Sequence, residues 1–329
     1  MSSDATHEFP SPIGGVPLDI DFAPSILFAV LYGLLIPVAI YRVINPRSRN
    51  MVLIGTLIFV AEHSINFSLR AHAAHSPNFR NGKSFEAYLQ ATLAAGFISI
   101  GQDLLTLLRA LLVSTTFGQQ TAEDGGAAVT TADQAAKRED AERGASSEPL
   151  NPTLSAGDLE DQPRRRFWFR QGCGYAAILF LGAVILSIIA GVNYERTIGS
   201  GAHADLVRRL LYISAGVSVA LLVLLIAGTL CAMATLSRLP ARPPARIVVA
   251  ALLLTAVGIY RLSILHNSTT SLTSTAPSSQ NTTHSKVLFY VFHIAPEWLS
   301  AALLLSVNVR RTYKTGMWGD MNSEKPLPP

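Results

Sequence analysis

Long runs of apolar residues, separated by shorter polar stretches, make up most of the chain. A helix needs roughly 20 apolar residues to cross the hydrocarbon core of a bilayer, and seven of the runs approach or exceed that length. They lie at 23–44, 51–69, 88–115, 168–193, 208–236, 245–266 and 287–309. The second run is the least apolar, because it contains Glu62, His63 and Asn66. The pattern therefore predicts an all-α polytopic membrane protein with seven transmembrane helices in one bundle.

The polar stretches divide the chain into predicted regions. Residues 1–22 form an N-terminal tail, helices 1–3 occupy 23–115, and helices 4–7 occupy 167–309, followed by a tail at 310–329. Between the two helical groups, residues 116–166 contain many small and charged residues and almost no large apolar ones. Such a segment cannot bury enough apolar surface to fold, so we expect a disordered loop. A spacer role is favoured over partner docking, and the sequence does not identify a partner for this loop.

Composition and charge support a membrane location. The chain is 49% hydrophobic and only 15% charged. Its net charge of +4 does not indicate nucleic-acid binding, because Lys and Arg are concentrated at the ends of apolar runs, where they anchor helices to lipid headgroups. One set of helix ends has about twice as many basic residues as the other, which predicts an extracellular N-terminus and a cytoplasmic C-terminus. We expect a multi-pass protein of the plasma membrane or an endomembrane.

The loop at 267–285 is rich in Ser and Thr and contains two N-glycosylation sequons. They begin at Asn267 and Asn281. In the predicted orientation this loop is outside, so both asparagines are candidate glycosylation sites. Sequons also arise by chance in stretches of this composition.

Polar residues inside the predicted helices are the candidate site. Ionisable groups at membrane depth face the bundle interior and mark function more often than chance. Helical periodicity places such groups on one face of the second, third and seventh helices, and the sixth helix adds an arginine. The candidate ligand-binding residues are Glu62, His63, Asn66, Arg70, Gln102, Asp103, Arg261, His293 and Glu297.

These groups predict an outward-facing polar pocket between helices 2, 3, 6 and 7. His293 and Glu297 are spaced i and i+4, so they can bond to each other on one helix face. Arg261 is the expected counter-ion of Glu62 or Glu297, because a buried arginine stays charged and pairs with carboxylates. Structural ion pairs that hold the helices together are the simpler alternative. Because one arginine cannot neutralise several carboxylates, we favour a hydrated or proton-titratable site. Asp103 is expected to lie deeper in the membrane than the other members.

Proline supplies one further expectation for the seventh helix. Pro296 lacks an amide hydrogen and leaves the carbonyl of Phe292 without its helical partner, so we expect a kink beside His293 and Glu297.

Several motifs resemble the fungal lipid-translocating exporter (RTA1-like) group and related basidiomycete membrane proteins. The resemblance lies in FAPSILFAVLYGLLIP at 22–37, Glu62 and Arg70, Tyr88-Leu89-Gln90, Tyr260-Arg261, and Phe289–His293 with Pro296. It implies a seven-helix fold and a role with lipids or small amphiphiles, so membrane lipids and a small amphiphilic ligand are the implied partners. The chain departs from the group's pattern at His293, at Glu297 and throughout the fourth helix.

Two other classes of membrane protein remain open. A seven-helix receptor fits the predicted topology, although a DRY-like triplet, an NPxxY motif and a cysteine pair for the outer loops are all missing. A metal-dependent membrane hydrolase would use Ser64, His63, Asp103, His293 and Glu297, which fall short of the histidines that such zinc sites favour. We therefore expect no enzymatic activity, no metal and no cofactor. The two cysteines, Cys173 and Cys231, do not make a disulfide framework.

Overall fold

The protein is mostly helical, and its long helices follow the apolar runs. The computed structural model describes residues 7–45, 48–80, 82–117, 161–236, 239–317 and 319–320. In the described part of the chain, seven α-helices precede residue 265: α1 Phe22–Ile44, α2 Ile54–Ala74, α3 Pro77–Arg80, α4 Lys83–Ser114, α5 Pro163–Val192, α6 Gly201–Thr235 and α7 Arg242–Ile264. The last helical segment consists of α8 Thr283–Phe289, a π-helical turn Tyr290–Ile294 and α9 Ala295–Leu305, and a short α10 Val309–Thr312 follows.

Six helical segments of the described chain are long and apolar enough to cross a membrane. They are Asp19–Ile44, Ser84–Ser114, Pro163–Val192, Gly201–Thr235, Arg242–Ile264 and Pro277–Leu305. Helix α2 is not among them, in line with its polar residues. The chain is therefore a multi-pass helical membrane protein, and a seven-span arrangement that includes α2 stays a prediction.

The predicted and observed helices differ mainly at their ends. The largest difference is at α6, which begins at Gly201 instead of residue 208, because the polar turn before the apolar run is also helical. Helix α5 begins at Pro163, where the missing amide hydrogen costs no helical hydrogen bond. Most of the predicted loop at 116–166, namely 118–160, lies outside the described residues.

Helix α4 is the central helix of the bundle. In its most apolar stretch of 18 residues, 78% of the residues are buried. In the corresponding stretches of α1 and α5 the shares are 22% and 28%. Around it, α1 packs on α2, α5 packs on α4, and α6 packs on α7. The outer helices expose large apolar side chains such as Leu34, Ile178 and Leu224, each about 65% exposed, as lipid-facing residues are.

Residues 7–21 fold onto one end of the bundle. We call them the N-terminal cap, and this end the capped end. Strand β1, Phe9–Pro10, pairs antiparallel with β2, Ser268–Thr269. Phe9, Ile13 and Val16 are buried. Residues 7–21 of the predicted extracellular tail are therefore a packed part of the fold, and residues 1–6 lie outside the described residues.

Residues of three other segments hold the cap. The Tyr194 hydroxyl donates to the carbonyl of Pro10 at 2.5 Å. Burial raises the pKa of Tyr194 well above its usual value, so the phenol keeps its proton for this bond. The amides of Ile13 and Val16 donate to Gln90 and Asn281 at 2.8 Å and 2.9 Å.

The chain segment after α9 packs at the opposite end. Tyr313 and Thr315 are fully buried, and the amide of Met51 donates to the carbonyl of Met317 at 2.8 Å. Asp320 pairs with Arg109 at 3.3 Å and with Arg170 on α5 at 2.7 Å. The first part of the predicted cytoplasmic tail at 310–329 is thus ordered against the bundle.

Candidate functional site

The buried carboxylate of Glu297 lies between two imidazoles. Glu297 is in the first turn of α9, and its Oε1 lies 3.4 Å from Nε2 of His293, four residues earlier. Its Oε2 lies 3.4 Å from Nε2 of His63 on α2. All three side chains are fully buried. The structure therefore joins a predicted pair on one helix to a third ionisable group on another.

His63 extends this contact toward the edge of the bundle. Its Nδ1 lies 2.7 Å from Oε2 of Glu62, the preceding residue. The hydroxyl of Tyr88 on α4 donates to Oε1 of Glu62 at 3.0 Å. The Glu62 side chain is 23% exposed. We call Glu62, His63, Glu297 and His293 the histidine–carboxylate chain, which runs from a partly exposed acid to a fully buried imidazole.

His293 lies in a π-helical turn directly before the helix that contains Glu297. Residues Tyr290–Ile294 form this turn directly before α9. Pro296 lies just after it and has no amide hydrogen to continue the helical ladder. A π-helical turn widens the helix by one residue, and such turns occur frequently at functional sites. The structure thus has a π turn beside Pro296, and the kink expected there stays a prediction.

Aromatic rings surround the histidine–carboxylate chain. The ring centroid of His63 lies 3.9 Å from that of Phe59 and 5.3 Å from that of Tyr32. The ring of Tyr260 meets His293 edge-on at 6.0 Å. Within the described residues, both Glu297 oxygens, Nε2 of both histidines and the Tyr32 hydroxyl have no hydrogen-bond partner. Unpaired polar atoms in an apolar enclosure are costly, which favours a functional explanation.

Arg261 lies near enough to Glu297 for electrostatic attraction, but among the described residues it forms no direct ion pair with Glu297 or Glu62. Its Nη1 donates to the carbonyl of Ala94 on α4 at 2.5 Å. Its guanidinium lies over the Phe97 ring, 5.1 Å from the centroid. The backbone and an aromatic face of α4 thus take the place of the predicted carboxylate.

Asn66 and Arg70 lie on the predicted face of α2 but contact other groups. Asn66 Nδ2 donates to the Thr92 hydroxyl at 2.6 Å, joining α2 to α4. Arg70 Nη2 donates to the carbonyl of Gly14 at 2.6 Å and lies 3.2 Å from Asp21 Oδ1 in the cap. Lys286 also reaches Asp21, with Nζ 2.6 Å from Oδ2. Arg70 therefore belongs to a separate network at the capped end.

Gln102 and Asp103 lie in a third location on α4. Asp103 Oδ2 accepts hydrogen bonds from the Thr56 amide at 2.6 Å and from the Thr56 hydroxyl at 2.7 Å. Thr56 is in the first turn of α2, whereas Glu62 and His63 follow more than one turn later. Gln102 is half-buried beside Asp103. The candidate residues thus divide among several separate contact sets and share no single network.

Three residues assigned to the predicted outward-facing pocket are fully buried in this structure. His63, His293 and Glu297 have no exposed surface. The N-terminal cap covers the capped end, held by Gln90, Asn281 and Lys286. Sequence reasoning left three contributors out of the candidate set. They are Asp21, Lys286 and Tyr88. Of these, Tyr88 was indicated, but only by the motif resemblance.

The two sequon asparagines differ in their surroundings. Asn267 is half-buried beside β2. Asn281 is 3% exposed, and its Nδ2 donates to the carbonyls of Leu272 and Ser274 at 2.8 Å and 2.7 Å. A glycan on Nδ2 of Asn281 would displace both hydrogen bonds.

Neither the search for metal-binding side chains nor the comparisons with known proteins assign a function to this site. Within the part of the chain that the structure describes, no three His, Cys, Asp or Glu side chains are grouped to hold a metal ion. A scan against protein-family models and searches of curated proteins and of solved structures found no match to this chain.

Proposed function

We propose that this chain is a seven-span membrane protein that handles lipids or small amphiphiles, with the histidine–carboxylate chain as its proton-titratable site. The observation that carries the proposal is the position of Glu297 between His63 and His293, 3.4 Å from each. Intramembrane carboxylates and histidines arranged in series are typical of proton relays and coupled transporters.

The chemistry of the site supports a proton-dependent change. Histidine is the side chain whose unperturbed titration lies nearest neutrality. A proton on His63 attracts both Glu62 and Glu297, whereas its loss leaves two carboxylates facing a neutral ring. Because His63 is on α2 and Glu297 is on α9, the protonation state changes the attraction between these helices. We therefore expect the distance between α2 and α9 to change when His63 gains or loses a proton.

The substrate class is supported by the motif resemblance to the lipid-translocating exporter group. Membrane lipids and a small amphiphilic ligand are therefore the proposed partners. We place the ligand pocket between α2, α4, α7 and the last helical segment, and we take the capped conformation as its closed form.

The test is transbilayer movement of a fluorescent-tailed phosphatidylcholine in liposomes that contain the purified protein. Dithionite quenching reports the label on the outer leaflet, and the assay is run on both sides of neutral pH. We expect the wild-type protein to accelerate movement with a rate that depends on pH. Glu297→Gln should lower that rate about tenfold, the scale of one protonation-dependent contact of about 1.4 kcal/mol.

The matched control is Asp205→Asn, which neutralises an exposed carboxylate on α6. Its rate and pH dependence should equal those of the wild-type protein. The proposal would be overturned if the labelled lipid moved no faster than in protein-free liposomes. Equal rates of lipid movement for the wild-type protein and Glu297→Gln would also overturn it.

A further inference from the structure

The capped end contains a second buried charged site, built around Asp21. Its Oδ1 accepts hydrogen bonds from Arg70 Nη2 at 3.2 Å and from the Tyr290 hydroxyl at 2.9 Å. Its Oδ2 lies 2.6 Å from Lys286 Nζ. The side chains of Asp21 and Arg70 are fully buried, and that of Lys286 is 4% exposed. Two cations and a hydroxyl from α2 and the last helical segment thus converge on one carboxylate.

The charges of this site balance only when Asp21 is included. Besides Asp21, the region contains the buried carboxylate of Glu86, which accepts from Gln90 Nε2 at 2.9 Å. Arg70 and Lys286 are the two cations. If Asp21 leaves, one buried positive charge is in excess, and a buried unpaired charge strongly favours an incoming anion.

The guanidinium of Arg70 has further donors for such an anion. Among the described residues, its Nε and Nη1 have no hydrogen-bond partner, although the side chain is fully buried. Both donors lie beside Nη2, so when Asp21 leaves, Nη2 together with Nε or with Nη1 can bind a carboxylate or phosphate through two parallel hydrogen bonds. Asp21 uses only one of the donors of this fork.

An apolar groove of about 270 Å³ begins at the same side chains. It is lined by Ile20, Pro24, Lys286, Val287, Tyr290 and Val291. Val287 and Val291 are 54% and 50% exposed, so the groove opens at the apolar surface of the last helical segment. Ile20 and Pro24 lie on either side of Asp21 in the sequence. Movement of the 3₁₀ turn Asp19–Asp21 therefore changes the groove and the charged site together.

We propose that Arg70, Lys286 and Tyr290 bind the headgroup of an amphiphile with one anionic group, that the groove takes its hydrocarbon chain, and that Asp21 is the resident intramolecular ligand. An apolar groove that ends at convergent charged donors is the usual form of a site for such a molecule. The proposal does not depend on the histidine–carboxylate chain, because different residues form the site and binding is measured without transport.

The first experiment uses the wild-type full chain in phosphatidylcholine nanodiscs and a photoactivatable oleic acid. We expect cross-links in peptides that contain 20–24 or 283–291. Unlabelled oleate, oleyl phosphate or both should compete for labelling, and whichever competes identifies the headgroup. Oleyl alcohol should compete poorly. Cross-links elsewhere, or equal competition by oleyl alcohol, would overturn the proposal.

The second experiment removes the resident ligand. If Asp21 occupies the site in about nine-tenths of the molecules, Asp21→Ala should bind the probe about tenfold more tightly. Asp19→Ala is the matched control, since Asp19 is an exposed carboxylate in the same turn, and it should leave the affinity unchanged. Adding Arg70→Gln to Asp21→Ala should remove the gain. Equal affinities for Asp21→Ala and Asp19→Ala contradict the proposal, and wild-type labelling tests it even if Asp21→Ala does not fold.

Discussion

A carboxylate inside an apolar bundle loses the hydration that stabilises its charge, so its neighbours determine whether it is tolerated. At Glu297 the nearest charge-bearing neighbours are His63 and His293, each 3.4 Å away, and its oxygens accept no hydrogen bond from the described residues. The two imidazoles are therefore both the proposed chemistry of the site and the reason that it can be buried.

This dependence can be measured as a stability difference. His63→Leu removes a partner of Glu297 and leaves the carboxylate less compensated, so we expect a loss of about 3–5 kcal/mol of unfolding free energy. The double variant His63→Leu/Glu297→Met should recover most of the loss, because no buried charge is left between α2 and α9. Denaturant unfolding in detergent gives both values. A double variant no more stable than His63→Leu would show that packing, and not charge, determines the loss.

At this scale the sequence predicts contacts along one helix better than contacts between helices. The His293–Glu297 pair follows from the helical repeat. The partnership of His63 with Glu297 depends on how α2 is rotated against α9, and the repeat does not specify that rotation. The same limit applies to Arg261, whose direct contacts are with Ala94 and Phe97 of α4, partners that no charge pattern reveals.

At the scale of helices, close approach of α2 and α4 positions His63. Gly96 of α4 faces α2, and a Cβ atom there would lie 2.7 Å from Cε2 of Phe59 and 3.1 Å from Cε1 of His63. Small residues at helix contacts let membrane helices approach closely. The absence of a side chain at Gly96 is thus a condition for the position of the His63 ring.

Gly96→Ala should consequently disturb both the packing and the site. We expect a loss of about 1–3 kcal/mol in unfolding free energy from overpacking, together with a weaker pH dependence of lipid movement. The control is Gly228→Ala in α6, where a Cβ atom meets nothing within 4 Å. That variant should be neutral or slightly stabilised. Unfolding in detergent compares the two, and equal stabilities would contradict the close-approach argument.

The ends of the helices and the polar residues of α2 show which features the pattern of apolar residues can and cannot predict. The runs predict where a helix crosses an apolar medium, so α1 begins within one residue of its predicted start. They do not predict polar helical turns such as the start of α6, or the π turn at Tyr290–Ile294. For α2, the pattern predicts a helix, but its polar residues leave its membrane crossing open.

At the scale of the whole molecule, α2 connects the two ends of the bundle. Met51, three residues before α2, bonds to Met317, and Arg70 near the other end of α2 bonds to the cap. This path is the structural argument for a seventh span, even though the helix is only moderately apolar. The polar face of α2 would be shielded from lipid by α4 and the last helical segment.

Cysteine labelling tests the seven-span prediction. In a background with Cys173→Ser and Cys231→Ser, a single cysteine replaces an exposed residue beside each helix end. The positions are Arg49→Cys, Asn78→Cys, Ala241→Cys and Thr275→Cys. A membrane-impermeant maleimide should reach the first and third from one side, and the second and fourth from the other, which the predicted orientation makes the extracellular side. Labelling of positions 49 and 78 from the same side would show that α2 does not cross.

The cap also has a consequence for the order in which the chain can fold. Lys286 bonds to the carbonyl of Gly14 across 272 residues of sequence, and β1 pairs with a strand that follows α7. During synthesis the N-terminal residues therefore emerge long before any of these partners exists. The cap must wait until the last helical segment has entered the membrane, so docking of the cap is a late step that can take place only after the bundle is complete.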